Sequence, residues 1–146
     1  MRVYIGADHR GFDLKNKLRE DMSALGIELQ DLGPVEYDPD DDYNDTTVVA
    51  AERILVEPES RAVLLCGSGE GVMMQANRFR GIRAVDPRTV DEARTARWHH
   101  DANVLVIAAE VVSPDDAVNI VQEFLSAPFS NMERYINRIK KLDEVV

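Results

Sequence analysis

The stretch AVLLCGSGEGVMMQANRFRG, residues 62–81, carries the clearest fold signal in this chain. The nearly continuous apolar run over 61–66 is typical of a strand that is buried on both faces of a parallel sheet. Glycines follow at positions 67, 69 and 71, and the pattern beyond them predicts a helix. A buried strand, a glycine turn and a helix together indicate an α/β fold with a parallel sheet.

The same alternation continues on both sides of this stretch. Further strands are predicted over 2–7, 27–33, 81–85 and 102–109, and further helices over 11–26, 46–57, 89–100, 113–127 and 131–146. Five strands alternating with helices predict a doubly wound parallel five-stranded sheet. We therefore expect a single domain over 1–146, a Rossmann-like or flavodoxin-like three-layer sandwich with an extra C-terminal helix.

Composition excludes several classes of protein. The net charge of −10 argues against nucleic acid as a partner, because binding to phosphate backbones requires basic surface. The single cysteine excludes an intrachain disulfide, and no cysteine and histidine spacing suggests zinc. The N-terminus enters a strand-like run at once, without an apolar stretch that would suit a signal peptide or membrane span, which predicts a cytoplasmic protein.

Ligands of such folds bind at the carboxyl ends of the strands. We therefore expect Asp8, His9, Cys66 and the 99–103 stretch to lie near one another, together with an acidic loop. The GSGEG spacing fits neither a dinucleotide fingerprint nor a P-loop. Its glycines can nevertheless point several N–H groups at one anion beside a helix N-terminus, which would also lower the pKa of the Cys66 thiol. A buried, inert cysteine before a tight turn is an equally good interpretation.

The acidic run over 37–45 resembles a calcium loop only in part. Tyr43 and Val49 stand where such a loop needs glycine and glutamate, so a solvated acidic loop is favoured. Arg134 and Arg138 are four residues apart and share a helix face, which suits an anion clamp as well as a solvated basic face.

Five segments together resemble a known family: IGADHRGFDLK, DDDY, CGSGEG followed by ANRFRGIRA, HHDANVL and RYINR. In this order and at these intervals they are similar to the type B ribose-5-phosphate isomerases and the related galactose-6-phosphate isomerases. The resemblance covers essentially the whole chain. It implies an isomerase that needs neither metal nor cofactor and converts an aldose phosphate to a ketose phosphate, most simply ribose 5-phosphate to ribulose 5-phosphate.

The resemblance also implies roles for individual residues. Cys66 would be the base that moves a proton between C2 and C1 through a cis-enediolate, and His99 would help to open the furanose ring. The N–H groups of the turn would hold the enediolate oxygen; these belong to Gly67, Ser68, Gly69 and Gly71. Asp8 and Tyr43 would lie around the ring oxygen and hydroxyls, with His100 beside the reacting oxygens.

For the phosphate, the resemblance implies His9, Arg134 and Arg138 as ligands. The two arginines would come from a neighbouring subunit through the C-terminal helix at about 130–144. The expected assembly is therefore a homodimer, or a dimer of dimers, with shared active sites.

The chain departs from the family around the substrate. His100 replaces a common asparagine, Glu110 a common phosphate-binding arginine, Tyr135 a frequent histidine and Asn44 a usual proline. Some members use a glutamate base six residues after the cysteine position, but Val72 stands there and Glu70 is in a variable position.

These departures leave the substrate open. The same chemistry on a tetrose or hexose phosphate, a partner-dependent subunit of a two-chain isomerase, and a binding domain without sugar chemistry all remain alternatives.

Overall fold

A computed structural model describes residues 1–145 of the chain. Its strands are β1 (Val3–Ala7), β2 (Gln30–Asp31), β3 (Arg61–Cys66), β4 (Ala84–Val85) and β5 (Val104–Ala108). Its helices are α1 (Phe12–Ala24), α2 (Tyr43–Val56), α3 (Glu70–Ala76), α4 (Val90–His100), α5 (Pro114–Ser126) and α6 (Glu133–Glu144). All strand pairs are parallel, in the order β2-β1-β3-β5-β4. The predicted five-stranded parallel sheet is therefore confirmed.

Strand β3 is apolar after its first residue, Arg61, because each of its faces is covered by a helical layer. Val63 and Leu65 pack into the core shared with α1, α4 and α5, whereas Leu64 and Cys66 pack into the core shared with α2 and α3. The alternation of side chains along a strand produces this division. Cys66 therefore faces the layer formed by α2 and α3.

Some element boundaries differ from the predicted ones. Helix α2 begins at Tyr43 rather than at 46, because the side chain of Asp42 caps it by accepting the N–H of Asn44 at 3.4 Å. Strands β2 and β4 each have two residues, shorter than predicted, and both lie at edges of the sheet with one neighbouring strand.

Helix α6 differs from the other five helices. Between Glu133 and Glu144 no side chain is buried, although Ile136, Ile139 and Leu142 form an apolar stripe along the helix. Its first residues lie near the end of α4, where the N–H of Ser130 donates to the carbonyl of Trp98. Across residues 1–145, no helix combines the length and the apolar character that crossing a membrane requires.

Candidate active site

The loops that follow β1, β3 and β5 meet at the carboxyl edge of the sheet. The N–H of Asp8 donates to the carbonyl of Leu65 at 3.1 Å, and the N–H of Glu110 donates to that of Gly67 at 3.1 Å. These bonds bring Asp8, the Cys66 turn and Glu110 together. The prediction that Asp8 and Cys66 share one edge of the sheet is confirmed.

Cys66 lies beneath the glycine turn, with 4% of its surface exposed. The N–H of Gly69 donates to its sulfur at 3.2 Å, and the turn can fold back over the sulfur because Gly69 has a φ of +84°. Burial raises the pKa of the Cys66 thiol, although hydrogen bonds from the N–H groups of Val72 and Gly69 act in the opposite direction. The expectation of a lowered pKa was wrong, because desolvation outweighs the donors at the helix end.

The N–H groups of the turn are divided between two tasks. The Gly69 N–H is directed at the thiol, and the Glu70 N–H donates to the Ser68 hydroxyl at 3.4 Å. The Gly69 N–H is therefore placed to stabilise a thiolate rather than an enediolate oxygen. Ser68 is exposed at the surface of the turn, so its hydroxyl is open to a ligand.

Asp8 is held rigidly at the end of β1, with 6% of its surface exposed. Its Oδ1 accepts the N–H groups of Arg10 at 2.9 Å and Gly11 at 3.1 Å. Burial raises the pKa of the Asp8 carboxyl, against the lowering effect of these two bonds. Gly11 brings the loop close to β3, because a Cβ atom there would lie 2.6 Å from the Cβ of Leu65.

The acidic loop positions His9. Asp41 Oδ1 accepts the backbone N–H of His9 and pairs with its Nδ1, both at 2.8 Å. This hydrogen bond raises the pKa of the His9 imidazole, which favours its cationic form. The interpretation of the loop as merely solvated is therefore wrong at Asp41. Within residues 1–145, no cluster of three or more acidic, histidine or cysteine side chains is arranged to hold a metal.

Tyr43 covers the far side of the glycine turn. Its ring lies against Gly71, where a Cβ atom would be 2.7 Å from the ring Cζ. The aromatic ring and the turn are thus in direct contact because position 71 has no side chain. Tyr43 therefore joins Asp8, His9 and the Cys66 turn at the carboxyl edge.

His99 and His100 lie at the opposite edge of the sheet. They end α4 and precede β5, and the start of a parallel strand is at the amino edge. Val104 pairs with Ala62, whereas Ala108 pairs with Cys66. The start of β5 is thus four residues, about 13 Å at ~3.3 Å per residue, below the level of Cys66. The prediction that the 99–103 stretch lies beside Cys66 was wrong, because this stretch precedes its strand instead of following it.

The amino edge carries a second cluster of predicted site residues. The ring of His99 stacks on that of Tyr135, with centroids 4.6 Å apart. The guanidinium groups of Arg134 and Arg138 lie 5.4 Å and 5.6 Å from the same ring centroid. Burial, with the charges of His99 and Arg138, lowers the pKa of His100. We call this group the amino-edge cluster: His99, His100, Arg134, Tyr135 and Arg138.

The chain thus presents two separate groups of predicted site residues, one at each edge of the sheet. The profile of the family described as Ribose/Galactose Isomerase matches residues 3–142. The chain belongs to the ribose/galactose isomerase family.

Individual members of the ribose/galactose isomerase family agree closely with the chain. A probable ribose-5-phosphate isomerase B of Mycoplasma pneumoniae is 40% identical over 96% of this chain and 91% of its own length. A ribose 5-phosphate isomerase of Thermotoga maritima has a structure with a TM-score of 0.93 and 39% identity, covering 99% of this chain and 98% of that one. Ribose-5-phosphate isomerase B of Mycoplasma genitalium, solved with bound ribulose-5-phosphate, gives a TM-score of 0.92 and 33% identity over 97% and 93% of the two chains. The protein is an aldose–ketose isomerase.

Three residues near the glycine turn differ from what some or most members of the ribose/galactose isomerase family are expected to have, or are in a variable position: Asn44, Val72 and Glu70. Asn44 donates from its side-chain amide to Gln75 Oε1 at 2.6 Å, which ties the start of α2 to α3. Val72, at the position of the alternative glutamate base, is 2% exposed and packs in the core beneath the turn. The carboxylate of Glu70 is in the first turn of α3 and exposed.

Sequence reasoning missed Asp86, which supports the turn from behind. A Cβ atom on Gly69 would lie 2.7 Å from Asp86 Oδ2, and this oxygen accepts a bond from Arg88 at 2.8 Å. The other oxygen, Oδ1, is buried without a hydrogen-bond partner among residues 1–145. Burial raises the pKa of Asp86. No motif marks this residue, since it follows a two-residue edge strand.

Proposed function

We propose that the protein interconverts ribose 5-phosphate and ribulose 5-phosphate through a cis-enediolate, with Cys66 as the base. The observation that carries the proposal is the hydrogen bond from the Gly69 N–H to the Cys66 sulfur beside Asp8. Ribulose-5-phosphate bound to the Mycoplasma genitalium relative supports the choice of sugar.

The carboxyl edge supplies a base and hydrogen-bond donors in one place. The thiolate of Cys66 takes the proton from C2 of the open-chain aldose and returns it to C1, while a proton passes from the C2 hydroxyl to the C1 oxygen. The Gly69 N–H stabilises the thiolate. We assign the Ser68 hydroxyl and the N–H groups of Gly67 and Gly71 to the developing enediolate charge. Proton abstraction beside a carbonyl needs the base and the hydrogen-bond donors within reach of one substrate.

The amino-edge cluster completes the site from a second subunit. Within one subunit, the histidines of this cluster and Cys66 lie at opposite edges of the sheet. A furanose phosphate is too short to reach from one edge to the other. Helix α6 has an apolar stripe that its own protomer leaves half-buried at Ile136 and Ile139 and exposed at Leu142. A two-fold dimer would cover this stripe and form two identical sites, because an isologous contact is exchanged in both directions.

The roles of the remaining side chains follow from this assembly. His99 of one subunit and Asp8 of its partner open the ring, with Tyr43 against the sugar hydroxyls and His100 near the reacting oxygens. Arg134 and Arg138 hold the phosphate together with His9, whose cationic form Asp41 favours. No metal or cofactor takes part in these steps.

The first test uses ribose 5-phosphate in D₂O. NMR monitors the exchange of the C2 proton of the sugar for deuterium. Cys66→Ser is expected to lower exchange by about 10²- to 10⁴-fold, the usual contribution of a general base. The variant should keep the fold and substrate affinity, because the sulfur and a hydroxyl are similar in shape. Near-normal exchange by Cys66→Ser would show that another group is the base.

The second test asks whether one active site uses the carboxyl edge of one subunit and the amino edge of another. Cys66→Ser and His99→Asn subunits, each inactive alone, are unfolded together, refolded and assayed. Half of the resulting dimers would be hybrids with one intact site, so about a quarter of wild-type activity should return. Refolding each variant alone is the control. If hybrids form without regaining activity, the proposed sharing of sites is wrong.

A different sugar phosphate is a second candidate, because the amino-edge cluster departs from the family. The ring of His100 lies 5.9 Å from that of His99, where the family commonly has asparagine, and Tyr135 replaces a frequent histidine. The same exchange assay with four- to six-carbon aldose phosphates identifies the preferred substrate. Higher kcat/KM for a tetrose or hexose phosphate would favour this candidate over ribose 5-phosphate.

A further inference from the structure

Two oppositely charged side chains meet above the glycine turn. Arg10 follows His9 in the loop after β1, and Glu110 lies in the loop after β5. The guanidinium NH1 of Arg10 lies 3.2 Å from Glu110 Oε1. A Cβ atom on Gly67 would be 2.8 Å from Arg10 Cδ and 3.0 Å from the Glu110 carboxyl carbon, so the pair lies directly on the turn.

The backbones of both residues are fixed, whereas their charged ends are not. The Arg10 N–H donates to Asp8 Oδ1, and the Glu110 N–H donates to the Gly67 carbonyl. Their side chains are nevertheless 58% and 54% exposed. An exposed pair of this kind contributes little stability, so another anion can replace the carboxylate without much loss.

We propose that Arg10 binds the phosphate of the substrate. In the free enzyme, Glu110 holds the Arg10 guanidinium over the turn, and the phosphate then displaces the Glu110 carboxylate from it. The inference rests on the proposed function, and it assigns a phosphate ligand on the same protomer as Cys66. The guanidinium is a permanent charge with a planar fork of donors, which suits two phosphate oxygens. It follows directly after His9, so one loop presents both cations.

The pair also makes the site selective. A dianionic phosphate forms stronger charge-assisted hydrogen bonds with Arg10 than a single carboxylate does, and it can therefore displace Glu110. A neutral sugar cannot do so and leaves the pair closed over the turn. Glu110, which stands where the family commonly has arginine, would then lower the affinity for all anions while favouring the most highly charged ones.

The test is a titration of the assembled protein with inorganic phosphate, in which isothermal titration calorimetry measures the Kd. Arg10→Gln should raise the Kd of phosphate by about 10- to 100-fold, the loss expected for a charged hydrogen bond. Glu110→Gln should lower it by about two- to five-fold, because it removes the competing ion pair. Arg10→Lys should restore part of the affinity.

Arg2 and Glu57 provide matched controls. They form another exposed pair at 2.7 Å, with side chains 56% and 36% exposed, and they lie away from the glycine turn. Arg2→Gln and Glu57→Gln change the net charge equally and should leave the Kd of phosphate unchanged. A phosphate Kd in Arg10→Gln equal to that of the wild type would overturn the inference.

The two proposals fail separately. If the wild type exchanges the C2 proton of ribose 5-phosphate while Arg10→Gln alters neither KM nor the phosphate Kd, only the Arg10 assignment is wrong. If the wild type exchanges no sugar phosphate but phosphate binding still depends on Arg10, the anion site is supported and the proposed function is wrong.

Discussion

Gly71→Ala should impair the enzyme without unfolding it. The new methyl group would lie 2.7 Å from Cζ and 2.8 Å from Cε1 of the Tyr43 ring. Carbon atoms in contact prefer ~3.5 Å or more, so the ring must move by about 0.8 Å. The ring can make this movement, because it is the far end of a side chain with two rotatable bonds.

The effects of this substitution on stability nearly cancel. Gly71 lies within α3, where replacing glycine with alanine stabilises a helix by about 0.5–1 kcal/mol. Holding the tyrosine away from its preferred rotamer costs about 0.5–1.5 kcal/mol. The free energy of unfolding should therefore change by no more than about 1 kcal/mol.

The substitution should lower kcat/KM strongly, although it changes the free energy of unfolding little. If Tyr43 contacts the sugar, a displacement of nearly 1 Å is expected to lower kcat/KM by about 10- to 100-fold. The backbone N–H of residue 71 is retained, so the hydrogen bond that we assign to it in the proposed mechanism can still form. The assay combines kcat/KM for ribose 5-phosphate with urea unfolding of the same preparations.

A double-mutant cycle identifies the cause. In a Tyr43→Ala background the methyl group has no ring to displace, so Gly71→Ala should change kcat/KM by less than about two-fold. An equal loss of activity in both backgrounds would refute the role of Tyr43. Wild-type kcat/KM in the single variant would refute the contact itself.

Two further predictions concern the thiol and the loop after β1. Because burial raises the pKa of Cys66, kcat/KM should rise with pH through neutrality towards the ordinary thiol pKa of 9.0 and beyond, as the thiolate fraction grows; a plateau below pH 7 would contradict this. Gly11→Ala should destabilise the protein by about 3 kcal/mol, because its methyl group would lie 2.6 Å from Leu65 Cβ and 2.8 Å from the Leu65 carbonyl in the central strand; an unchanged urea midpoint would show that the loop can move.

Much of the fold could be predicted because β3 and its glycine turn follow simple rules. A strand covered on both faces must be apolar throughout, and Arg61–Cys66 matches this pattern along all but its first residue. The short edge strands were harder to predict, since Gln30–Asp31 has only one neighbour and little buried surface to constrain its sequence. The cap at Asp42 was hidden within a run of similar acids.

The positions of the candidate residues were predicted only in part, because Asp8 and Cys66 share the carboxyl edge of the sheet whereas His99 lies at the amino edge. The direction of β5 places His99 at the amino edge, which follows from topology and not from spacing along the chain. The pKa of Cys66 depends on the balance between burial and two N–H groups, and a sequence shows only the donors. The pairing of Arg10 with Glu110 joins residues a hundred positions apart, so no local pattern indicates it.

The placement of Cys66 and His99 at opposite edges of one sheet affects how such a protein can evolve. If two subunits share each site as proposed, one copy can lose its thiol after a gene duplication and the other its histidines, and a mixed pair of chains still holds one complete set. Each copy then becomes dependent on the other, and natural selection retains both genes. Two-chain enzymes can arise in this way without any gain of function.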